Sequence, residues 1–220
     1  MKKILVVGVG GAGINIVNML LKQGYKGQVC IMDTDICHAQ VADYHSNRVF
    51  IGYSETRGLG GGGYVELGKR SAIADAPIIR GALCGLRANN PKKSPKEIAI
   101  SVKDAKSRRP DAVIICTGLG GGTGSGASPE IAKIAKEMGC FVAAFAVLPF
   151  STERNRVNKA KEAHSKLEEH CDSLVTFDQN KIIEIWPKKK NFGDLWKKQD
   201  VFIVESVISY VSMIKEINKR

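Results

Sequence analysis

The 220-residue sequence predicts a doubly wound α/β fold, a mostly parallel sheet with helices on both faces in the Rossmann-like manner. Continuous apolar runs alternate with segments of helical period along the chain. Those runs show no polar alternation, as expected of strands covered on both sides. Glycine-rich stretches follow several of them, where such a sheet turns from strand to helix. With 44% hydrophobic and 25% charged residues, the composition suits one globular core, and the length suits a single domain.

Taken in order, the start of "MKKILVVGVG" reads as a buried strand over 3–8, because its apolar part is too short and too soon broken by glycine to be a secretory leader. A helical pattern follows over 14–23, then strands over 28–32 and 48–52, and helices over 65–74 and 96–107. The next strand, 112–117, leads through glycines into a helix over 129–138, with Ser128 as N-cap, Pro129 at the first helical position and Gly139 just past the end. Ile131, Ile134, Ala135 and Met138 form its one apolar stripe. A strand over 141–148, a helix over 154–170 and a strand over 173–177 complete the alternation. The last segment, 200–220, differs: Ile203, Val204, Val207, Ile208, Val211, Ile214 and Ile217 cover a broad face that asks for burial on more than one side.

The six cysteines (Cys30, Cys37, Cys84, Cys116, Cys140, Cys171) form no CxxC pair and accompany no histidine cluster, which favours a reduced, cytoplasmic chain without structural metal. No apolar run is long enough for a transmembrane segment. The net charge of +11 invites a nucleic-acid reading, but the lysines are spread out, thickening only at "NNPKKSPK" and "WPKKKNF" without interleaved aromatics. A solvated basic surface is expected, with no clear nucleic-acid motif.

Three glycine loops carry the chemistry. "GVGGAG", with Gly8, Gly10 and Gly13, follows a strand and opens a helix, and Asp33 ends the next strand. Alone this is a dinucleotide fingerprint, with pyrophosphate at the helix N-terminus and Asp33 on a ribose hydroxyl, or merely a tight turn. The second loop contains Gly118, Gly120, Gly121, Gly122, Gly124 and Gly126, with the Thr123 and Ser125 hydroxyls as extra donors. It reads as an anion nest whose glycines supply positive φ and close approach. A third run places Gly60, Gly61, Gly62 and Gly63 after another strand. Three such loops on one sheet edge point to one ligand with several phosphates. Near the C-terminus, Trp196 and Asp200 stand four apart on one helix face, where an indole could stack on a purine and a carboxylate accept guanine's N–H groups. An interfacial tryptophan beside a solvated acid has the same spacing.

"VGVGGAGINIVN", "MDTD", "TRGLGGGGYVELGKR", "GLGGGTGSGASPEIAKIAKEMG" and "PFSTER" resemble, in order, the nucleotide loops of the tubulin/FtsZ family, whose signature is the "GGGTGSG" piece. The resemblance implies GTP or GDP as ligand, with Mg2+ accompanying GTP. It assigns the α- and β-phosphates to residues 120–126, further N–H donors to Gly10, Gly11 and Ala12, and the γ-phosphate to 60–63. It also gives Asn15 and the Trp196–Asp200 pair to guanine, Glu153 to ribose, and Arg156 to phosphate, although the spacing of Arg156 differs by one from the common pattern. Gln179 and Asn180 stand where the family usually has Asn then Asp, near sugar or base.

The family hydrolyses GTP in polymers, through acids on a loop after a long central helix. Here the final helix resembles that central helix and the sequence stops with it. The expectation is therefore a GTP-binding domain over 1–220 of a cytoskeletal or cell-division protein, without the second domain, weak in hydrolysis alone, and self-associating or covered by a partner along the last helix. A GTPase whose catalytic acid comes in trans and a nicotinamide-dependent oxidoreductase are the alternatives. The stretch 74–112 is longer than in typical bacterial relatives and carries the basic insertion around 89–97.

Overall fold

The computed structural model describes residues 3–40, 47–87, 96–185 and 192–217. The basic insertion falls largely outside them. Six parallel strands, β1 (Ile4–Val9), β2 (Gln28–Asp33), β3 (Asn47–Phe50), β4 (Ala112–Gly118), β5 (Phe141–Leu148) and β6 (Ser173–Asp178), pair in the order β3-β2-β1-β4-β5-β6. The direction of winding reverses between β1 and β4, and a crevice opens beyond their carboxyl ends. The helices are α1 (Gly10–Lys22), α2 (Ile36–Gln40), α3 (Tyr53–Thr56), α4 (Val65–Ala74), α5 (Ala76–Leu83), α6 (Val102–Arg108), α7 (Gly122–Glu137), α8 (Arg154–Glu168), α9 (Gln179–Ile185) and α10 (Phe192–Glu216).

Strand side chains alternate between two cores, as the period of two requires. Leu5, Val7 and Val9 of β1 join Val113 and Ile115 of β4 and Val142 and Ala144 of β5 under α4 to α8. Ile4, Val6, Ile114 and Phe145 face the other way, against Ile14, Val17 and Leu20 of α1 and Ile203, Val204, Val207, Val211 and Ile214 of α10. The broad face of the last helix is thus largely buried here, while Phe202, Met213 and Ile217 stay exposed. The approach of α1 depends on missing side chains: a Cβ on Gly13 would lie 2.4 Å from the Cys116 carbonyl oxygen, and one on Gly8 2.4 Å from the Gly13 oxygen.

Several helix boundaries differ from the sequence expectation. α7 begins at Gly122, so Pro129 lies inside it and Ser128 is no cap. The Ser128 hydroxyl donates to Thr117 Oγ1 at 2.9 Å, which donates on to the Val9 carbonyl at 3.3 Å, fastening α7 to β4 and β1. α1 likewise begins in its glycines, at Gly10. The expected helix over 96–107 is a short 3-10 turn at Lys96–Ile98 followed by α6, because Ser101 caps α6 by accepting from the Asp104 N–H at 3.1 Å. Helices α5 and α9, and the short α2 and α3, had no counterpart in the periodicity.

All six cysteines are free, with Cys37 exposed and Cys30, Cys116 and Cys140 buried. Burial pushes the Cys30 and Cys116 thiols up to about 12, so they behave as small apolar side chains. No described helix is long and apolar enough to cross a membrane.

Candidate functional site

A cleft of about 410 Å³ lies at the crevice between β1 and β4. Gly10, Gly11 and Ala12 of α1 form one wall, and Gly118, Gly121, Gly122, Thr123 and Gly124 another. Gly60, Gly61 and Gly62, with Leu59, close a third side, while Asp33, Asp35, His38 and Arg156 bring the charges. The three glycine loops therefore meet in one space, as their positions at the carboxyl edge require.

Two of them are the first turns of helices. The opening residues of any helix carry N–H groups without intrahelical partners. α1 starts at Gly10 after Val9, α7 at Gly122 after Gly121, and neither has a side-chain cap or an acid in its first turn. Donors and positive dipole ends from both helices converge on the cleft, which suits an anion. This corrects the nest expected over 118–126. Within it only Gly120 has positive φ, at 101°. Gly122, Gly124 and Gly126 are helical, and glycine is required there by close packing: a Cβ on Gly126 would meet the Val65 oxygen at 2.0 Å, and one on Gly124 the Gly118 oxygen at 2.2 Å.

The hydroxyls expected as phosphate donors have other partners. Ser125 Oγ accepts from the Gly120 N–H at 2.6 Å and holds the loop from behind. Thr123 Oγ1 pairs with Thr34 Oγ1 at 2.6 Å, joining the second loop to the end of β2. The third loop rides on α7, with the Cβ position of Gly61 only 3.2 Å from Gly122 Cα. Gly60 donates its N–H to the Thr34 carbonyl at 3.1 Å. Gly63 is turned the other way, its carbonyl accepting from Lys159 Nζ of α8 at 2.8 Å.

The sequence singled out Asp33 but not its neighbours Asp35 and His38, although "MDTDICH" sets them at a strand end and one helical turn apart. Asp33 is buried, and its Oδ1 accepts from the N–H groups of Thr34 (2.7 Å) and Asp35 (3.1 Å). Its Oδ2 has no hydrogen bond, with His38 Nδ1 3.5 Å away. Burial raises its carboxyl above the ordinary range, while those two N–H bonds, His38 and the Thr123 hydroxyl oppose the shift.

Of the remaining candidates, Arg156 lines the cleft and is ion-paired to Glu153, whose other oxygen accepts from the Phe150 N–H at 3.2 Å. Asn15 is exposed on α1 outside the cleft wall. Gln179 begins α9, and Asn180 accepts from the Ser151 N–H at 2.9 Å, bracing the turn before Glu153. Asp200 sits half-buried on α10, which raises its carboxyl, and does not line the cleft. Trp196 lies on the same helix, but its side chain is outside those described.

A model of the tubulin/FtsZ family GTPase domain matches residues 3–88 and 88–187. The cell division protein FtsZ 2 of Methanocaldococcus jannaschii is 34% identical over 206 residues, covering 93% of this chain and 47% of that protein. FtsZ of Aquifex aeolicus is 36% identical over 214 residues, 96% of this chain and 52% of its own. The chain thus spans about half the length of these curated relatives. Among solved structures, an empty FtsZ dimer from M. jannaschii superposes with a TM-score of 0.77 at 31% identity, over 94% of this chain and 53% of that one. A GTPγS-bound CetZ2 protofilament from Haloferax volcanii shares the fold at 22% identity, with a TM-score of 0.69 over 97% of this chain and 58% of that one. These matches leave the oxidoreductase alternative without support, and with both stretches of the family model aligned along a sheet of matching fold, the chain belongs to the tubulin/FtsZ family.

Proposed function

We propose that the chain binds a guanine nucleotide, GTP or GDP, and serves as the nucleotide-binding part of a cell-division or cytoskeletal protein. The observation that carries this reading is the meeting of two uncapped helix N-termini, α1 and α7, with the third glycine loop around one cleft. In this reading the α- and β-phosphates lie against the starts of α7 and α1, and a third phosphate lies against 60–62. Asp35 and Asp33 stand at the same rim, where carboxylates would repel a polyphosphate unless a cation intervened. That donor set fits Mg2+, a hard ion that takes oxygen ligands and keeps most of its coordination for phosphate and water. The ion would neutralise phosphate charge in any transfer step.

Asp200 and Trp196 are assigned to the base, with Glu153, Gln179 and Asn180 near the sugar. Hydrolysis by these 220 residues alone is expected to be slow: beyond Asp200 the acids are Glu205 and Glu216, both on α10, and neither is set to orient water at the cleft. The relatives described as a dimer and a protofilament support self-association as the route to faster turnover.

Nucleotide released by denaturing the purified chain should be guanine-based. Asp200→Ala should weaken GTP and GDP by about 1–3 kcal/mol, the worth of charge-assisted hydrogen bonds, and narrow the preference over ATP. Titrations indifferent to this change would remove the guanine assignment.

A further inference from the structure

The geometry points to Lys159 as a positioning residue of the third loop, a tether from α8 that orders residues 62–63 and so governs how well the chain tells GTP from GDP. The inference rests on the nucleotide reading above. Lys159 Nζ donates to the Gly63 carbonyl at 2.8 Å, across 96 positions of sequence. Its ammonium does not line the cleft, whereas Arg156, one turn earlier on α8, does. One face of α8 therefore sends one cation into the cleft and the next to the back of its glycine wall.

Apart from one turn bond, from the Tyr64 N–H to the Gly61 carbonyl at 2.7 Å, the loop has little else to hold that end. Its first half is gripped through the Gly60 N–H on Thr34, the Asp35–Leu59 bridge and the seat of Gly61 on Gly122. Its second half has positive φ at both Gly62 (53°) and Gly63 (79°) and no side chain to pack. A Cβ on Gly62 would find only the Tyr64 ring within 4 Å, and one on Gly63 only Lys159 Nζ, at 4.0 Å. Glycine backbone so free loses much entropy when a ligand orders it. A charge-assisted bond that orders it beforehand lowers that loss and adds positive potential on the side where a third phosphate would lie. GDP has no group to reach this loop, so the benefit belongs to GTP.

The test is calorimetric titration of the whole chain with GDP and with GTPγS, in wild type, Lys159→Met, Lys159→Gln and Lys159→Arg, with nucleotide-free melting curves alongside. Lys159→Met should lose about five- to tenfold in GTPγS affinity, as expected for one charge-assisted bond to a partly exposed loop, with GDP affinity and melting unchanged. Lys159→Arg should restore most of the loss, Lys159→Gln little, and amide exchange at 62–64 should quicken in step with it. A wild-type chain without preference between the two nucleotides, a Met variant that keeps the wild-type ratio, or one that loses both nucleotides equally would overturn the tether. A wild-type chain that binds neither would instead overturn the nucleotide reading itself.

Discussion

Asp33 is a charge held where burial disfavours it, since its raised carboxyl means that the folded chain carries the ionised form less readily than the unfolded chain does. For a carboxylate shifted upward, ionisation destabilises the fold: stability falls as pH rises from the unfolded toward the folded pKa, and returns as pH falls. Asp33→Asn keeps an acceptor for the Thr34 and Asp35 N–H groups and removes the charge. The nucleotide-free variant should be more stable than wild type near neutral pH, with the difference shrinking toward acid. Urea melts over a pH series would read this, and a pH-independent difference would mean that His38 and the two N–H groups already offset the burial. Asp33 was legible in the sequence through its distance from the first glycine loop. Asp35 and His38 were missed because each type is common at a strand end, and only the turn of α2 gathers them with Asp33 at one rim.

At the level of elements, the glycines of 118–126, one class in the sequence, separate into distinct roles. Gly126 is a packing position, its missing Cβ making room for the Val65 carbonyl of α4. Gly68 answers it from the other helix, where a Cβ would lie 2.3 Å from the Gly122 oxygen. Gly126→Ala should therefore destabilise the fold by about 1–3 kcal/mol, the usual cost of overpacking, whatever happens to ligands. Gly121 is the converse case, with φ of −92° and nothing within 4 Å of its Cβ position, yet on the cleft wall. Gly121→Ala should melt like wild type and bind nucleotide about tenfold or more weakly, by blocking the approach of phosphate to the α7 amides. Equal nucleotide affinity in that variant would take the phosphates away from α7. Ser128 and Pro129 misled the reading of the helix start because both are favourable first-turn residues that here serve inside the helix, one bonding sideways to Thr117. The strands were read within a residue or two, most plainly the inner β1 and β4, where burial on both faces leaves an apolar run such as "VVG" or "AVIIC".

For the molecule as a whole, the strand order could not be read from any local pattern, but the edge on which the cleft would open could, since two of the glycine loops directly follow β1 and β4; the third, expected straight after a strand, comes after β3 only by way of α3. What the alternation left obscure is α10, whose inner face is buried and whose outer face still shows Met213 to solvent at 46%, with Ile217 just past its end at 65%. Replacing both by serine should alter stability by no more than about 0.5 kcal/mol per site and should reduce concentration-dependent association in sedimentation runs. Unaltered association would place any self-contact elsewhere. The distribution of thiols gives the experimenter something further. Cys30, Cys116, Cys140 and Cys171 have thiols pushed up to about 11 or 12 by burial, Cys84 is raised in the same direction, and Cys37 is exposed two residues from Asp35. A maleimide dye at neutral pH should find that one sulfur first, so the native sequence already holds a fluorescence probe at the mouth of the cleft, where arrival and departure of a ligand become changes in emitted light.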